Sequence, residues 1–218
     1  MINDFSRITS FIRSMIPDDE GELGVLYRQA VEDGVPVIRP EAKEYLKTQL
    51  MMKKPKHVLE IGTAIGYSSL FMSGYIDEGA DIITIELDET RAELARENIR
   101  RFGKEQTISV ICGDAADILV TLPDMQFDFV FVDAAKAQYI YYLPEVLRVL
   151  VPGGVMLSDN ILQEGDVLES HFLVEKRNRT IHDRMRDYLY TITHHEALET
   201  ALLSVGDGMA ISIKKEMV

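Results

Sequence analysis

The sequence contains no tryptophan and one cysteine, Cys112. A single thiol excludes an intramolecular disulfide and suits a reducing, cytoplasmic setting. Nowhere do 18 apolar residues run uninterrupted, so no stretch reads as a membrane-spanning helix. The opening MINDFSRITSFIRSMIPDDE sets Asp4, Arg7 and Arg13 among its apolar positions, which excludes a secretory signal peptide. Positive charge is scarce: 23 Lys and Arg stand against 36 Asp and Glu, a net charge of −13. That argues against a surface generally coated with nucleic acid, while leaving room for a local basic patch. Internal repeats, low-complexity tracts and linkers are also absent. What is present is 218 residues, 46% of them hydrophobic, enough for one sizeable core and a single domain. The ten methionines read as core filler.

The first third is helical. Phe5, Ile8, Ile12 and Met15 recur at helical spacing and predict an amphipathic helix, packed on the domain or on a second subunit. ELGVLYRQAVEDG predicts a second helix stopped by Gly34, VPVIRP an extended link, and PEAKEYLKTQLMM a third helix with proline in its first turn. These make residues 1–50 a helical cap region. From 55 to 218 the rhythm changes. HVLEIG, DIITIE, TISVIC, FDFVFV and GGVMLS predict five short apolar strands. Helices are expected between them at Gly66–Ile76, DETRAELARENIRRFG, Ala115–Leu122 and QYIYYLPEVLRVL, where Pro144 should bend or restart the last. Alternating strands and helices mean right-handed crossovers and a parallel sheet covered on both faces. The tail differs: TALLSV and MAISIK, joined by Gly-Asp-Gly, predict an antiparallel hairpin.

In an open parallel sheet, ligands bind beyond the carboxyl ends of the strands. Each strand here ends in polar residues: Glu60 to Gly66, Glu86 with Asp88, Gly113-Asp114, Asp133, and Asp159-Asn160. Gly62 and Gly66 form a G-x-x-x-G turn, either a plain tight turn or a nucleoside-cofactor loop. Glu86, at the end of the second strand, can grip ribose hydroxyls, and Asp114 can accept from an adenine amino group. Ala64 stands where a dinucleotide motif has its second glycine, and no basic residue lies in the turn. The acidic edge therefore suits a cationic sulfonium cofactor better than a pyrophosphate. Asp133, Asp159 and Asn160 offer three oxygen ligands from adjacent strand ends, as Mg²⁺ prefers. Without Cys or His in those segments, zinc is disfavoured there. Lys136 is either a salt-bridge partner or a proton acceptor. The five histidines show no ligand spacing.

With VLEIGTAIGYSS, IITIELD, GDAADIL, VDAAKAQY and LSDNIL, the chain resembles the metal-dependent, catechol-type S-adenosylmethionine O-methyltransferases, from about Val35 to VGDGMAISIKK. The pairing of D-x-x-K with a later D-N is its most specific element. The resemblance implies a Rossmann-like class I methyltransferase fold: an α/β domain with a seven-stranded, mostly parallel sheet, an antiparallel C-terminal hairpin and helices on both faces. It implies Glu60, Gly62 and Ser68 at the methionine end of the cofactor, Glu86 on the ribose, Asp114 and Ala115 on the adenine, and Ile38 closing over the site. Asp133, Asp159 and Asn160 would hold Mg²⁺, with Asp133 also touching the cofactor, and Lys136 would be the base. Ala134 departs from the pattern, since many catechol-type members carry an aromatic residue or histidine there. Glu199 is no secure equivalent of the glutamate that helps hold catechol in the animal enzymes. Both points count against catechol itself as the natural substrate.

VEKRNRTIHDRMRDYLYTITHH predicts a helix with Ile181, Met185, Tyr188 and Ile192 on its apolar face. From Lys176 to Arg186, Lys176, Arg177, Arg179, Arg184 and Arg186 stand against Asp183 alone, a local excess of four positive charges. This is either a solvated helix face or a phosphate-binding patch. KRNRTIHDRMRDYL also resembles the bacterial tRNA 5-hydroxyuridine methyltransferases of the same family, which implies the tRNA anticodon loop as partner and 5-methoxyuridine at the wobble position as product. Small catechol-like molecules are the alternative substrate. A nicotinamide-dependent dehydrogenase and a non-catalytic RNA-binding module are remoter readings. A homodimer is expected from the amphipathic first helix.

Overall fold

The computed structural model describes residues 5–216, and the side chains from Arg7 onward. Asp4 and the side chain of Phe5, used above, lie outside the described residues. The first three helices are α1 (Phe5–Ser14), α2 (Gly21–Glu32) and α3 (Pro40–Lys53), the last beginning on its proline as the sequence predicts. Alternation then starts: β1 (His57–Ile61), α4 (Tyr67–Met72), β2 (Asp81–Glu86), α5 (Glu89–Arg101), β3 (Ile108–Cys112), α6 (Ala115–Leu119) and β4 (Phe127–Val132). It continues through α7 (Tyr139–Val149), β5 (Leu150–Ser158) and α8 (Arg179–His194) to β6 (Leu198–Leu203) and β7 (Met209–Lys214).

The seven strands form one sheet in the order β3-β2-β1-β4-β5-β7-β6. Strands β1 to β5 pair in parallel, and β7 inserts antiparallel between β5 and β6. The chain winds outward from β1 through β2 to β3, then returns to lay β4 beside β1. That reversal opens a crevice at the carboxyl ends of β1 and β4.

Period-two alternation sends strand side chains to two cores. Val58, Ile82, Phe129, Phe131 and Leu157 pack with Leu26, Leu46, Leu50 and Ile99 from the helices on one face. Leu59, Ile61, Val130, Val132 and Met156 pack with Leu119, Tyr142, Met185 and Tyr188 on the other. Being buried on both sides is why the strands read as nearly continuous apolar runs.

Several boundaries differ from the sequence reading. α4 stops at Met72 and α6 at Leu119, because each needs only to span the sheet edge before the chain turns. α7 runs through Pro144 and is not restarted there. The hairpin connection is Ser204–Gly208, two residues longer than Gly-Asp-Gly. On α8, His182 is buried along with Met185, Tyr188 and Ile192, while Ile181 is half-buried. Among the described residues, no helix is long and apolar enough to cross a membrane.

Candidate active site

Beyond the carboxyl ends of β1, β2 and β4 lies a cleft of about 800 Å³. Ladder hydrogen bonds persist past the strand ends and fix its floor: Gly62 N–H donates to Ile85 O, and Asp133 N–H to Ile61 O, both at 2.9 Å. Gly62 has φ +101°, and a Cβ there would fall 1.9 Å from the Asp133 carbonyl oxygen. The β1 loop therefore lies directly on the β4 end, and only glycine permits that approach. Ala64 (φ +47°), Asn160 (φ +58°) and Glu164 (φ +55°) also hold left-handed backbone around the cleft. Left-handed backbone at non-glycine residues is costly and tends to cluster where a site requires it.

Glu86 is buried at 8% exposure, and its two carboxylate oxygens accept from Ala64 N–H at 2.8 Å and Asp88 N–H at 3.0 Å. That grip fixes the carboxylate while leaving it lone pairs toward the cleft. Asp114 caps α6 by accepting from Ala116 N–H at 2.9 Å. Ile38, Gly62, Ser68, Glu86, Asp114, Ala115, Asp133, Lys136 and Asn160 all line the cleft. Two expected residues do not. Glu60 is fully buried beneath the floor, where it accepts from Thr84 Oγ1 at 2.6 Å and from Ser69. Its position inside β1 rather than after it explains this, and burial pushes its carboxyl up to about 7. Asp159 is 1% exposed and stands beside the wall rather than on it.

The acidic corner is under-satisfied. Asn160 Nδ2 donates to Asp133 Oδ1 at 3.0 Å, which leaves the amide oxygen free. Asp159 Oδ1 accepts from Asn160 N–H at 2.7 Å, but Oδ2 is buried without a hydrogen-bond partner. Burial pushes both Asp133 and Asp159 above the ordinary carboxyl range, and for Asp159 the neighbouring Asp133 charge adds to it. A hard cation coordinated by oxygens fits such a corner, because it would relieve the charge repulsion and engage the orphaned oxygen.

One residue here escaped the sequence reading. Asp207, in the β6–β7 connection, is 5% exposed and lines the cleft. Its Oδ1 accepts from Glu164 N–H at 2.7 Å, and its Oδ2 faces Lys136 Nζ at 3.6 Å. Gly208 beside it has φ +82°, and a Cβ there would meet Leu162 at 2.3 Å. The Gly-Asp-Gly signal was read only as a turn, yet its second glycine presses the loop into the site. Tyr139 was missed too. Buried, its hydroxyl reaches the carbonyl oxygens of Val132 and Asp159 at 3.2 and 3.1 Å, bracing the ends of β4 and β5 together.

The basic residues of the α8 region do not line the cleft. Arg177 pairs with Glu175 at 2.8 Å. Arg179 donates to Val174 and Phe172 carbonyls, and Arg186 to those of Val167 and Glu169. Arg184 comes nearest the site: it donates to Ala137 O at 3.4 Å, next to Lys136, and its guanidinium lies 5.0 Å from the Tyr141 ring centroid. Lys176 is exposed.

Comparison with known proteins bears on the family and the fold. The family profile described as O-methyltransferase matches residues 25–215. Catechol O-methyltransferase of Niastella koreensis is 28% identical over 221 residues, 97% of this chain and 98% of that enzyme. Catechol O-methyltransferase of Mycobacterium tuberculosis is 29% identical over 163 residues, 74% of each chain. Among solved structures, a putative caffeoyl-CoA O-methyltransferase from Staphylococcus aureus aligns with TM-score 0.88 and 28% identity, covering 95% of this chain and 99% of that one. An O-methyltransferase from Bacillus cereus, solved in complex with SAH, aligns with TM-score 0.83 at 23% identity, covering 99% and 100%. The sheet order and antiparallel β7 are those of the Rossmann-like class I methyltransferases.

Proposed function

The chain belongs to the O-methyltransferase family, and from that premise we propose that it transfers a methyl group from S-adenosylmethionine to a hydroxyl chelated by Mg²⁺. The observation that carries this reading is the under-satisfied acidic corner beside Lys136. Glu86, Asp88, Asp114, Asp133, Glu164 and Asp207 outnumber Arg39, Arg91 and Lys136 along the cleft, which favours a cationic cofactor without phosphate. Glu86 would hold the ribose, Asp114 and Ala115 the adenine, and Gly62, Ser68 and Asp133 the methionine end, with Ile38 covering them. Asp133, Asp159 and Asn160 would hold Mg²⁺, which supplies charge to lower the pKa of a coordinated hydroxyl. Asp207 would orient Lys136, and Lys136 Nζ, in its neutral amine form, would take the hydroxyl proton and become the ammonium that Asp207 faces. The two ligands held side by side make the displacement effectively unimolecular.

For the substrate, the reading is 5-hydroxyuridine at the tRNA wobble position, methylated to 5-methoxyuridine. The 5-hydroxyl and 4-carbonyl of that base are adjacent oxygens, as in a catechol. An anticodon-loop base can be splayed into a pocket. Arg184, packed between Tyr141 and the Lys136 turn, supports a basic flank at the cleft mouth. The exposed Ile8, Phe11 and Ile12 of α1, with Met15 just after it, support assembly as a homodimer, and the lone Cys112 supports a cytoplasmic setting. The deciding experiment incubates the protein with hydroxyuridine-containing tRNA and labelled cofactor, beside a small catechol. Label should enter the tRNA, and replacing Arg177, Arg179 and Arg184 by alanine should weaken tRNA binding and flatten its salt dependence. Label in the catechol alone, with the triple variant as active as the parent, would make this a small-molecule enzyme.

A further inference from the structure

Away from the cleft, a second group of side chains has the chemistry of a metal site. His171, just before α8, and His182 and Asp183, in its first turns, bring one ligand atom each within 4.8 Å of one another. His171 Nδ1 lies 2.8 Å and His182 Nδ1 2.9 Å from the same carboxylate oxygen, Asp183 Oδ1. The sequence hid this, because His171 and the His182-Asp183 pair belong to different segments and meet only when the loop folds against the helix.

The hydrogen bonding fixes the buried ring. His182 is 2% exposed, and its Nε2 lies 3.1 Å from the Glu169 carbonyl oxygen. A carbonyl only accepts, so Nε2 carries the proton. A neutral ring then turns its Nδ1 lone pair toward a carboxylate oxygen, which is also only an acceptor. Either a second ring proton or a metal ion between them resolves that opposition, and the convergence of His171 Nδ1 on the same oxygen is what points to the metal. An imidazole that donates one N–H to a backbone carbonyl and offers its other nitrogen is the arrangement that metal-bound histidines show. Arg186 lines the same surface pocket, but its Nη1 is engaged by the Val167 and Glu169 carbonyls.

We propose that His171, His182 and Asp183 form a second cation site, for zinc or a similar borderline transition metal, distinct from the oxygen-lined corner of the cleft. Two imidazoles and one carboxylate suit such ions, whereas Asp133, Asp159 and Asn160 suit Mg²⁺. Zinc bonds of about 2.0–2.1 Å require the two short contacts to open by only a few tenths of an ångström. Asp183 and His171 are half-exposed enough to move. A fourth position faces the pocket, whose wall also holds Ser170, Glu169 and Asp187. The ion would staple the loop after β5 to α8, holding the exposed Phe172 and the basic residues near the cleft flank in one arrangement.

The test titrates the untagged chain with Co²⁺ and Zn²⁺ in excess Mg²⁺, reading Co²⁺ visible absorption and binding stoichiometry. The Asp159→Ala variant serves as the background in which the cleft corner is disabled. One equivalent should bind in both parent and background, with a raised unfolding temperature. His171→Ala and Asp183→Asn, whose side chains are not in the core, should each weaken it at least tenfold while keeping the parent's circular dichroism. Unchanged stoichiometry and affinity in both variants would overturn the proposal. So would uptake lost only in Asp159→Ala, or no uptake at all, which would leave a proton rather than a metal bridging His182 and Asp183.

Discussion

Two lysine–aspartate pairs flank the cleft and are built differently. In the N-terminal region, Lys43 Nζ lies 2.5 Å from Asp19 Oδ1, with side-chain exposures of 4% and 19%. Tyr67 donates to the other Asp19 oxygen, and Lys43 also lies 5.3 Å from the Phe71 ring centroid. At the cleft floor, Lys136 stands 3.6 Å from Asp207, is 31% exposed, and leaves Asp207 Oδ2 without a hydrogen-bond partner. In the first pair both Asp19 oxygens are engaged, and the chain gains a fixed joint between the α1–α2 connection, α3 and α4. The second has unspent hydrogen-bonding capacity, which a structural pair gains nothing by keeping. The difference teaches what separates the two lysines: Lys43 is buried in a fully engaged carboxylate pair, whereas Lys136, the base proposed above, faces a carboxylate with capacity to spare.

That contrast can be broken from either side. The largest effects should come from the cleft. Asp159→Ala should abolish Mg²⁺-dependent turnover, and Lys136→Ala should lower kcat by about 10²–10⁴, the latter loss shrinking at high pH where the substrate hydroxyl ionises unaided. Neither should lower the unfolding temperature by much, since Asp159→Ala loses the bond from Asn160 N–H but also removes a buried unpartnered oxygen, and Lys136 is loosely held. A destabilised Lys136→Ala with unaltered kcat would erase the distinction. Next, Asp19→Ala should cost about 3 kcal/mol of stability in denaturant unfolding, because it strands a buried ammonium. An unchanged midpoint would show that Lys43 finds water instead.

The smallest effect concerns Glu60, intermediate between the two pairs because Oε2 is satisfied and Oε1 is not. Its carboxyl is raised from the ordinary range to about 7, so between those values the folded state binds more protons than the unfolded one. Stability must then fall as pH rises through that window. Glu60→Gln should remove the slope, gaining about 3 kcal/mol on the parent from pH 4.5 to 7.5. Parallel pH profiles of the two proteins would mean Glu60 is ionised throughout.

Much of this was legible in the sequence because it is written locally. A short apolar strand followed by Glu86, Asp133 or Asp159-Asn160 places each polar residue at the same sheet edge, whatever the rest of the chain does. Glu60 differs because it comes one residue earlier: the ladder from His57 to Ile61 keeps it inside the sheet, beneath the cleft. Asp207, Tyr139 and the His171–His182–Asp183 group were illegible for another reason. Their roles come from contacts between distant segments, which no spacing encodes. The basic stretch is legible only as composition, since a count of arginines does not reveal that Arg179, Arg184 and Arg186 also spend donors on backbone carbonyls.

The insertion of β7 between β5 and β6 has a consequence for how the protein is made. Chains emerge from the ribosome N-terminus first, and Asp207 is the last residue of the cleft to be synthesised. Every other wall of the cleft is encoded before it, yet the loop that carries it settles only when the strand beyond it slots into the gap beside β5. The contact between Asp207 and Lys136 is thus the last of the cleft's own contacts that a nascent chain can complete, and it waits on the sheet being closed.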